Sequence, residues 1–157
     1  MKLFPAFLPA LLGACVLLAG CATPPKFGAV NVTLVGFRPS DDPTVTGRAI
    51  MTLRFTSEGV NAAAFTHSTH TLSFNGAHLG KAENPTPFGL TPEGTLTLDM
   101  TLVLDDPSVV RRVLAVSDQA KYSLDSVLYY TDGEHTAWLK SHAEGSTPIA
   151  GLESAAR

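Results

Sequence analysis

The chain has 157 residues, of which 45% are hydrophobic and 16% are charged, and its formal net charge is −3 at pH 7. This composition excludes a disordered, highly charged chain and predicts a folded domain with a hydrophobic core. It also excludes a nucleic-acid-binding surface, which requires clustered cations, because no basic run exceeds the pair Arg111-Arg112.

The first 20 residues predict a cleaved export signal. Lys2 gives a short positive start, residues 3–18 are apolar apart from two prolines, and the small-residue stretch Leu18-Ala19-Gly20-Cys21 follows. This layout is typical of a secretory signal, because a membrane span requires about 20 apolar residues. The stretch resembles the lipobox of bacterial lipoproteins, which implies cleavage before Cys21 and a thioether-linked lipid on its sulfur. The alternative is a plain signal peptide followed by an incidental cysteine.

The lipobox resemblance also implies a location in the cell envelope. The N-terminal lipid would hold the chain on a membrane, and Ala22 at the second mature position, in place of Asp, favours the outer membrane facing the periplasm. Cys15 is removed with the signal and Cys21 is blocked by lipid, so we expect no disulfide, no thiolate nucleophile and no cysteine metal site. The mature chain loses Lys2, which leaves ten basic against 14 acidic residues and a net charge of −4.

The mature chain is long enough for one domain. We expect residues 21–28 to be the lipidated N-terminus and a short, stiff tether, because two adjacent prolines favour polyproline spacing and a reach of about 20 Å. Residues 29–143 are expected to form the β domain, and residues 144–157 a C-terminal tail.

Three stretches, residues 30–38, 49–56 and 95–104, alternate apolar and polar side chains as strands with one buried face do. Turn motifs separate the strands: Asp41-Asp42-Pro43, Ser57-Glu58-Gly59, Asn75-Gly76, Thr91-Pro92-Glu93-Gly94 and Asp132-Gly133. The predicted buried positions are Val30, Val32, Leu34, Ala49, Met51, Leu53, Phe55, Leu96, Leu98, Met100, Leu102 and Leu104.

Two hairpins and one helix are specified in more detail. Asn75-Gly76 suits a two-residue turn with positive φ at both positions, and it predicts the pairs Phe74–Ala77, Ser73–His78 and Leu72–Leu79. Asp132-Gly133 is predicted to join residues 121–131 to residues 134–141. The helix begins with Asp106 as its N-cap and Pro107 at its first position, with Val109, Val110, Val113 and Leu114 at helical spacing.

Many short strands with one small helix predict an all-β, antiparallel sandwich. The order of Leu72-Ser73-Phe74-Asn75-Gly76-Ala77-His78-Leu79-Gly80, then Gly89-Leu90-Thr91-Pro92-Glu93-Gly94, then the alternating residues 96–104 resembles the type 2 late embryogenesis abundant proteins, or WHy domain. One departure is Ser57-Glu58-Gly59-Val60-Asn61, where the family usually has Asn-Pro-Asn.

The resemblance implies an immunoglobulin- or fibronectin-III-like sandwich of about seven strands, without catalytic residues. It also implies a non-enzymatic, stress-protective or binding module of the envelope. The alternative is a lipidated adaptor in envelope assembly or transport, with a protein partner that the sequence does not identify. A hydrolase is a third hypothesis.

The search for chemistry finds no catalytic, cofactor-binding or metal residue. The histidines are interpreted as surface or strand-edge residues, and the hairpin register places His70 on the apolar face and His78 on the other. Ser108 lacks the flanking glycines of a nucleophile turn and is expected to help cap the helix with Asp105-Asp106. The five histidines are His67, His70, His78, His135 and His142.

Aromatic residues near the last hairpin leave two interpretations open. Tyr122, Tyr130 and Trp138 belong either to the core or to an exposed binding surface, and Tyr129 has the opposite parity to Tyr130. Gly89 and Gly94 flank Pro92 in a turn, which is not the arrangement of a phosphate-binding loop.

Overall fold

The computed structural model describes residues 28–42 and 44–156, which form an all-β domain with one α-helix. The helix is α1 (Pro107–Leu114), and a 3₁₀ helix (Ala150–Leu152) follows the last strand. Within these residues no helix has the length and apolar character needed to span a membrane. The strands are β1 (Val30–Pro39), β2 (Arg48–Ser57), β3 (Ala63–Phe65), β4 (His67–Phe74), β5 (Ala77–Asn84), β6 (Phe88–Leu90), β7 (Thr95–Leu104), β8 (Gln119–Asp132) and β9 (His135–Pro148).

Seven of these strands form one antiparallel sheet in the order β1-β2-β7-β5-β4-β8-β9, and β3 pairs with β6 in a separate ribbon. Because each neighbouring pair is antiparallel, β1 and β9 at the two edges run in the same direction. The edges meet where the Val32 backbone N–H donates to Ser141 Oγ at 3.0 Å. The sheet is therefore a nearly closed barrel.

β5 and β7 pair over only three residues of each strand, which makes theirs the shortest junction in the sheet. The sheet folds over at this short junction, which brings β1 and β2 opposite β4. Phe37 on β1 contacts Phe74 on β4 edge to face, with ring centroids 5.8 Å apart. The all-β, antiparallel prediction with one short helix is confirmed, and the main sheet has seven strands beside the two-stranded ribbon. The two separate sheets of an immunoglobulin- or fibronectin-III-like sandwich are not confirmed. The hydrogen-bonded ladder continues across the junction and leaves one sheet.

The two ends of the barrel differ in what closes them. At the proximal end, where the described chain begins at Gly28, the β3–β6 ribbon packs Phe65 and Phe88 against each other with centroids 5.2 Å apart. Phe88 also contacts Phe55 of β2 at 5.1 Å. At the distal end, α1 contributes the buried Val109 and Val110 to the same hydrophobic core.

The predicted alternation of β1 and β7 is confirmed by burial, and that of β2 is confirmed except at Ile50, which is buried like Ala49 and Met51. In β7, however, burial is uneven: Met100, Leu102 and Leu104 are buried, whereas Leu96 and Leu98 are only partly buried. The reason is the short junction, because β5 pairs with β7 opposite residues 102–104 alone. The first half of β7 is thus covered by a neighbouring strand on one side only.

The Asn75-Gly76 hairpin is confirmed at its turn, where both residues have positive φ, 49° and 80°. Phe74 pairs with Ala77 and Ser73 with His78, as predicted, but Leu72 pairs with Gly80 and not with Leu79. The prediction was wrong at this third pair because a β-bulge inserts Leu79 as an extra residue. Both Leu79 and Gly80 are buried beside the junction with β7.

The second hairpin turns one residue later than predicted. Asp132 pairs with His135, so the two central residues are Gly133 and Glu134. Gly133 has a φ of 65°, and Glu134 is not among the residues of positive φ. Two-residue turns of this kind need positive φ at the first central position alone, which glycine supplies there.

The helix begins as predicted, and the chain after residue 143 belongs to the domain. Asp106 is the N-cap and Pro107 opens the helix. β9 continues to Pro148, so the expected boundary between a domain and a C-terminal tail at residue 143 is wrong. Apolar side chains after β9 enter the core where sequence periodicity gave no signal: Ile149, Leu152, Ala155 and Ala156.

Candidate binding face

The outer side of β4, β8 and β9 is a continuous surface formed by paired strands. β8 pairs with β4 from Tyr122 to Tyr129 and with β9 along its whole length. Side chains that alternate with the buried ones project outward from these three strands, and we call this surface the outer face. The outer face includes His67, Ser73, Lys121, Ser123, Asp125, Tyr129, Trp138, Lys140, His142, Glu144 and Ser146.

Two open grooves run along the outer face on β8 and β9. The larger, about 720 Å³, lies near the Asn75-Gly76 turn at the distal end, and the smaller, about 470 Å³, lies in the middle of the two strands. The larger groove is lined by Ser73, Asn75, Gly76, Lys121, Tyr122, Ser123, Glu144, Gly145 and Ser146, and the smaller by Asp125, Ser126, Val127, Lys140, Ser141 and His142.

A histidine close to two carboxylates lies where the two grooves adjoin. His142 Nδ1 lies 2.7 Å from Asp125 Oδ1, and His142 Nε2 lies 3.5 Å from Glu144 Oε1. The hydrogen bond with Asp125, followed by that with Glu144, raises the pKa of His142 above its ordinary value. Together with Lys121 and Lys140, this arrangement gives the grooves both donors and acceptors and both signs of charge, which suits a polar ligand.

An aromatic row crosses the outer face at the proximal end. Pairing places His67, Tyr129 and Trp138 side by side on β4, β8 and β9. The rings of His67 and Tyr129 stack with centroids 4.2 Å apart and planes 6° from parallel. Trp138 is 60% exposed, which is high for so large an apolar side chain.

Sequence reasoning identified the aromatic residues but not this row. With Asp132 and Gly133 as the central turn residues, Trp138 would lie opposite Val127; the later turn places it opposite Tyr129. Parity does separate Tyr129, which faces outward, from Tyr130, whose ring stands edge-on to Phe65 with ring centroids 6.5 Å apart. Each of the two interpretations therefore holds in part. Tyr122 is buried and Tyr130 is partly buried, whereas Trp138 is exposed.

His70 departs from the expectation of surface or strand-edge histidines. Its side chain is 1% exposed, on the apolar face that the hairpin register predicted. Nδ1 lies 2.8 Å from Ser126 Oγ and Nε2 lies 2.9 Å from Ser68 Oγ, both hydrogen-bonded and both serines buried. Burial lowers the pKa of His70 to about 4. In the described chain, every buried side-chain nitrogen or oxygen has a hydrogen-bond partner.

The remaining histidines are spread over the domain. His78 Nε2 lies 2.6 Å from Asp105 Oδ2, near the helix, while His135 is exposed at the start of β9. Across residues 28–42 and 44–156, no three side chains of histidine, cysteine, aspartate or glutamate converge on a metal position. Lipidation of Cys21 stays a prediction, because this residue lies outside the described residues.

Ser108 and Asp106 form a helix cap. The Ser108 backbone N–H donates to Asp106 Oδ1, and Ser108 Oγ donates to Asp106 Oδ2, each at 2.8 Å. These hydrogen bonds lower the pKa of Asp106, which keeps the carboxylate ionised at the helix N-terminus. The capping expectation is confirmed for this pair, and Asp105 turns instead toward His78.

No protein-family model matches the sequence, and no curated protein matches it. Solved structures are similar to it at low identity. A protein from Archaeoglobus fulgidus is 14% identical with a TM-score of 0.46, over 78% of this chain and 97% of that chain. A protein from Arabidopsis thaliana is 16% identical with a TM-score of 0.49, over 80% of this chain and 82% of that one. A solution structure named for a late embryogenesis abundant protein is 14% identical with a TM-score of 0.42, over 78% of this chain and 74% of that chain.

Proposed function

We propose that the protein is a lipid-anchored, non-enzymatic binding module of the bacterial cell envelope, protective under stress as its resemblance to type 2 late embryogenesis abundant proteins implies. Its lipid is on Cys21, in the outer membrane facing the periplasm. Its contact surface is the distal and middle part of the outer face, where the two grooves lie, and its clients are polar polypeptide segments.

The observation that carries this proposal is the pair of adjoining grooves on β8 and β9. They are shallow, open and built on strands paired along their length, so their walls are fixed by the sheet. Hydroxyls of Ser123 and Ser146 and charged groups of both signs line them, which supplies alternating donors and acceptors. An extended polypeptide carries the complementary pattern of N–H and C=O groups.

The anchor is tested by mass and fractionation. The wild-type protein should carry acyl mass on a chain that begins at Cys21, and it should sediment with membranes. Cys21→Ala should leave the membrane fraction, because a thioether lipid cannot form without the sulfur. Wild-type protein without acyl mass would refute the anchor.

The contact surface is tested in cells that lack the gene. Survival after drying should be restored by the wild-type protein and by Thr101→Arg, which changes an exposed residue of β7 outside the outer face. Ser123→Arg places a long cation in the larger groove, next to the smaller one, and should restore less survival at equal protein level. Equal rescue by both variants would contradict the assigned surface.

The adaptor alternative is separated by photo-crosslinking. A photoreactive amino acid at position 123 should capture many different envelope proteins, more of them during drying, and the same group at position 101 should capture few. A single stoichiometric product from position 123 would favour the lipidated adaptor.

A further inference from the structure

We propose that the proximal end of the barrel rests on the surface of the lipid bilayer, with Val60 and Trp138 inserted into its interface. This orientation depends on the proposed lipid anchor at Cys21. It leaves the larger groove, at the distal end of the outer face, directed away from the membrane.

The first step is the position of Val60. An ideal Cβ placed on Gly28 would lie 3.0 Å from Gly59 Cα, and the Glu58 backbone N–H donates to the Ala29 carbonyl at 3.0 Å. The loop after β2 therefore lies against the point where the described chain begins. Val60, next in that loop, is 76% exposed.

The second step places Trp138 at the same end. Ser141 of β9 contacts Val32 of β1, and the two strands run in the same direction. Trp138 precedes Ser141 by three residues, about 10 Å along a strand, which brings it level with Ala29. Val60 and Trp138 therefore flank the point where the chain enters the barrel.

The third step is the length of chain between anchor and barrel. Six residues lie between Cys21 and Gly28, and the seven residue steps that join these two span at most about 24 Å when the chain is fully extended. A lipid on Cys21 thus keeps the proximal end within reach of the headgroup region. Tryptophan favours this region because its ring is apolar while its N–H finds polar partners.

Charge selects the kind of lipid. Carboxylates of Glu58, Glu93 and Glu134 lie at the proximal end, the first two around the Val60 loop and the third in the β8–β9 turn. A strongly anionic surface would repel them, so the bilayer that this end contacts is one of zwitterionic headgroups.

The test uses Trp138 as an internal probe, because it is the single tryptophan of the chain. Mature lipidated protein is reconstituted in phosphatidylcholine vesicles, and attachment is scored by flotation. Relative to the mature chain carrying Cys21→Ala in solution, Trp138 emission should shift to the blue, lose quenching by acrylamide and gain quenching by lipids brominated near the headgroup. Adding anionic phosphatidylglycerol should weaken these changes.

Two matched variants test the orientation. Val60→Asp should float with the vesicles but return Trp138 to acrylamide quenching. Val116→Asp, at an 88% exposed valine beyond α1 at the distal end, should behave as the wild type. If the wild-type protein floated with Trp138 still quenched by acrylamide, the docking would be overturned and the anchor left intact. Equal quenching by brominated lipids in the wild type and Val60→Asp would have the same meaning. Failure of the wild-type protein to float would instead refute the anchor, and the docking with it.

Discussion

Burial beside two hydroxyls keeps His70 neutral inside the barrel. Serine oxygens lie within hydrogen-bond distance of both ring nitrogens, and the ring stands edge-on to Phe55 at 5.8 Å. Desolvation lowers its pKa from 6.5 to about 4. Between these two pH values the unfolded chain binds a proton that the folded domain does not, so stability rises with pH across this window.

The free energy of unfolding should therefore fall by about 2 kcal/mol between pH 7 and pH 5 through His70 alone, and fall further as the pH approaches 4. His70→Gln keeps a polar side chain toward Ser68 and Ser126 without a titrating group. It should lose stability at pH 7 but show a flatter pH dependence, measured as urea midpoints at pH 7, 6 and 5. The carboxylates titrate alike in both proteins, so parallel slopes would contradict the role assigned to His70.

Among the elements, the bulge in β5 shows how one residue fixes the junction between strands. A Cβ added to Gly80 would lie 2.1 Å from the Val103 carbonyl oxygen, a backbone atom that cannot move without shifting β7. Glycine permits this close approach, and with it the three residue pairs that join β5 to β7.

Gly80→Ala should therefore cost about 1–3 kcal/mol or more in the free energy of unfolding, as overpacking does. Gly36→Ala is the matched control, because Gly36 also lies in a strand at a register shift but has no atom within 4 Å of an added Cβ. It should change stability by about 0.5 kcal/mol or less. Thermal unfolding of both variants measures the difference, and equal midpoints would show that the junction tolerates a side chain.

Truncations along β7 should follow the burial of its side chains. Alternation alone predicts equal losses at Leu98 and Leu102, but only Leu102 is fully buried. Leu102→Ala should cost about 2–5 kcal/mol and Leu98→Ala clearly less, whereas Thr101→Ser at an exposed position should cost well under about 1 kcal/mol. Urea midpoints for the three variants test the order. A loss at Leu98 equal to that at Leu102 would contradict the one-sided cover of the first half of β7.

The features that were predicted and the bulge that was not show what sequence patterns can predict about strands, turns and helices. Alternation in β1, β2 and β7, the positive φ at Asn75-Gly76 and the Asp106 cap all depend on nearby residues, and all were predicted. The bulge at Leu79 depends instead on the approach of β7, which is distant in sequence. Local rules contain no information about that approach.

For the whole molecule, strand order decided what could be predicted of the candidate face. The opposite parities of Tyr129 and Tyr130 followed from the sequence, but the stacking of His67 on Tyr129 requires β4 to pair with β8. Three further strands and α1 lie between these partners along the chain, and β7 inserts between β2 and β5. Such long-range pairing is set by how the entire core closes.

The chain end completes that closure at the distal end. The Gly47 backbone N–H donates to the Ala155 carbonyl at 3.1 Å, and Arg111 of α1 donates to the Ala156 carbonyl at 3.2 Å. Gly151 lies so close to β1 that an added Cβ would be 2.3 Å from the Phe37 carbonyl oxygen. The segment after β9 thus joins the loop between β1 and β2, the helix and the first strand.

Removing this segment should open the distal end of the core. Leu152 is fully buried, so Leu152→Ala should cost about 2–5 kcal/mol in the free energy of unfolding. Glu153→Ala, at the next and exposed position, is the matched control and should cost less than about 0.5 kcal/mol. A chain ending at Pro148 loses Ile149 as well and should unfold at lower urea than either variant. If Leu152→Ala matched Glu153→Ala in its urea midpoint, the segment would be an appendage, and the barrel would close without it.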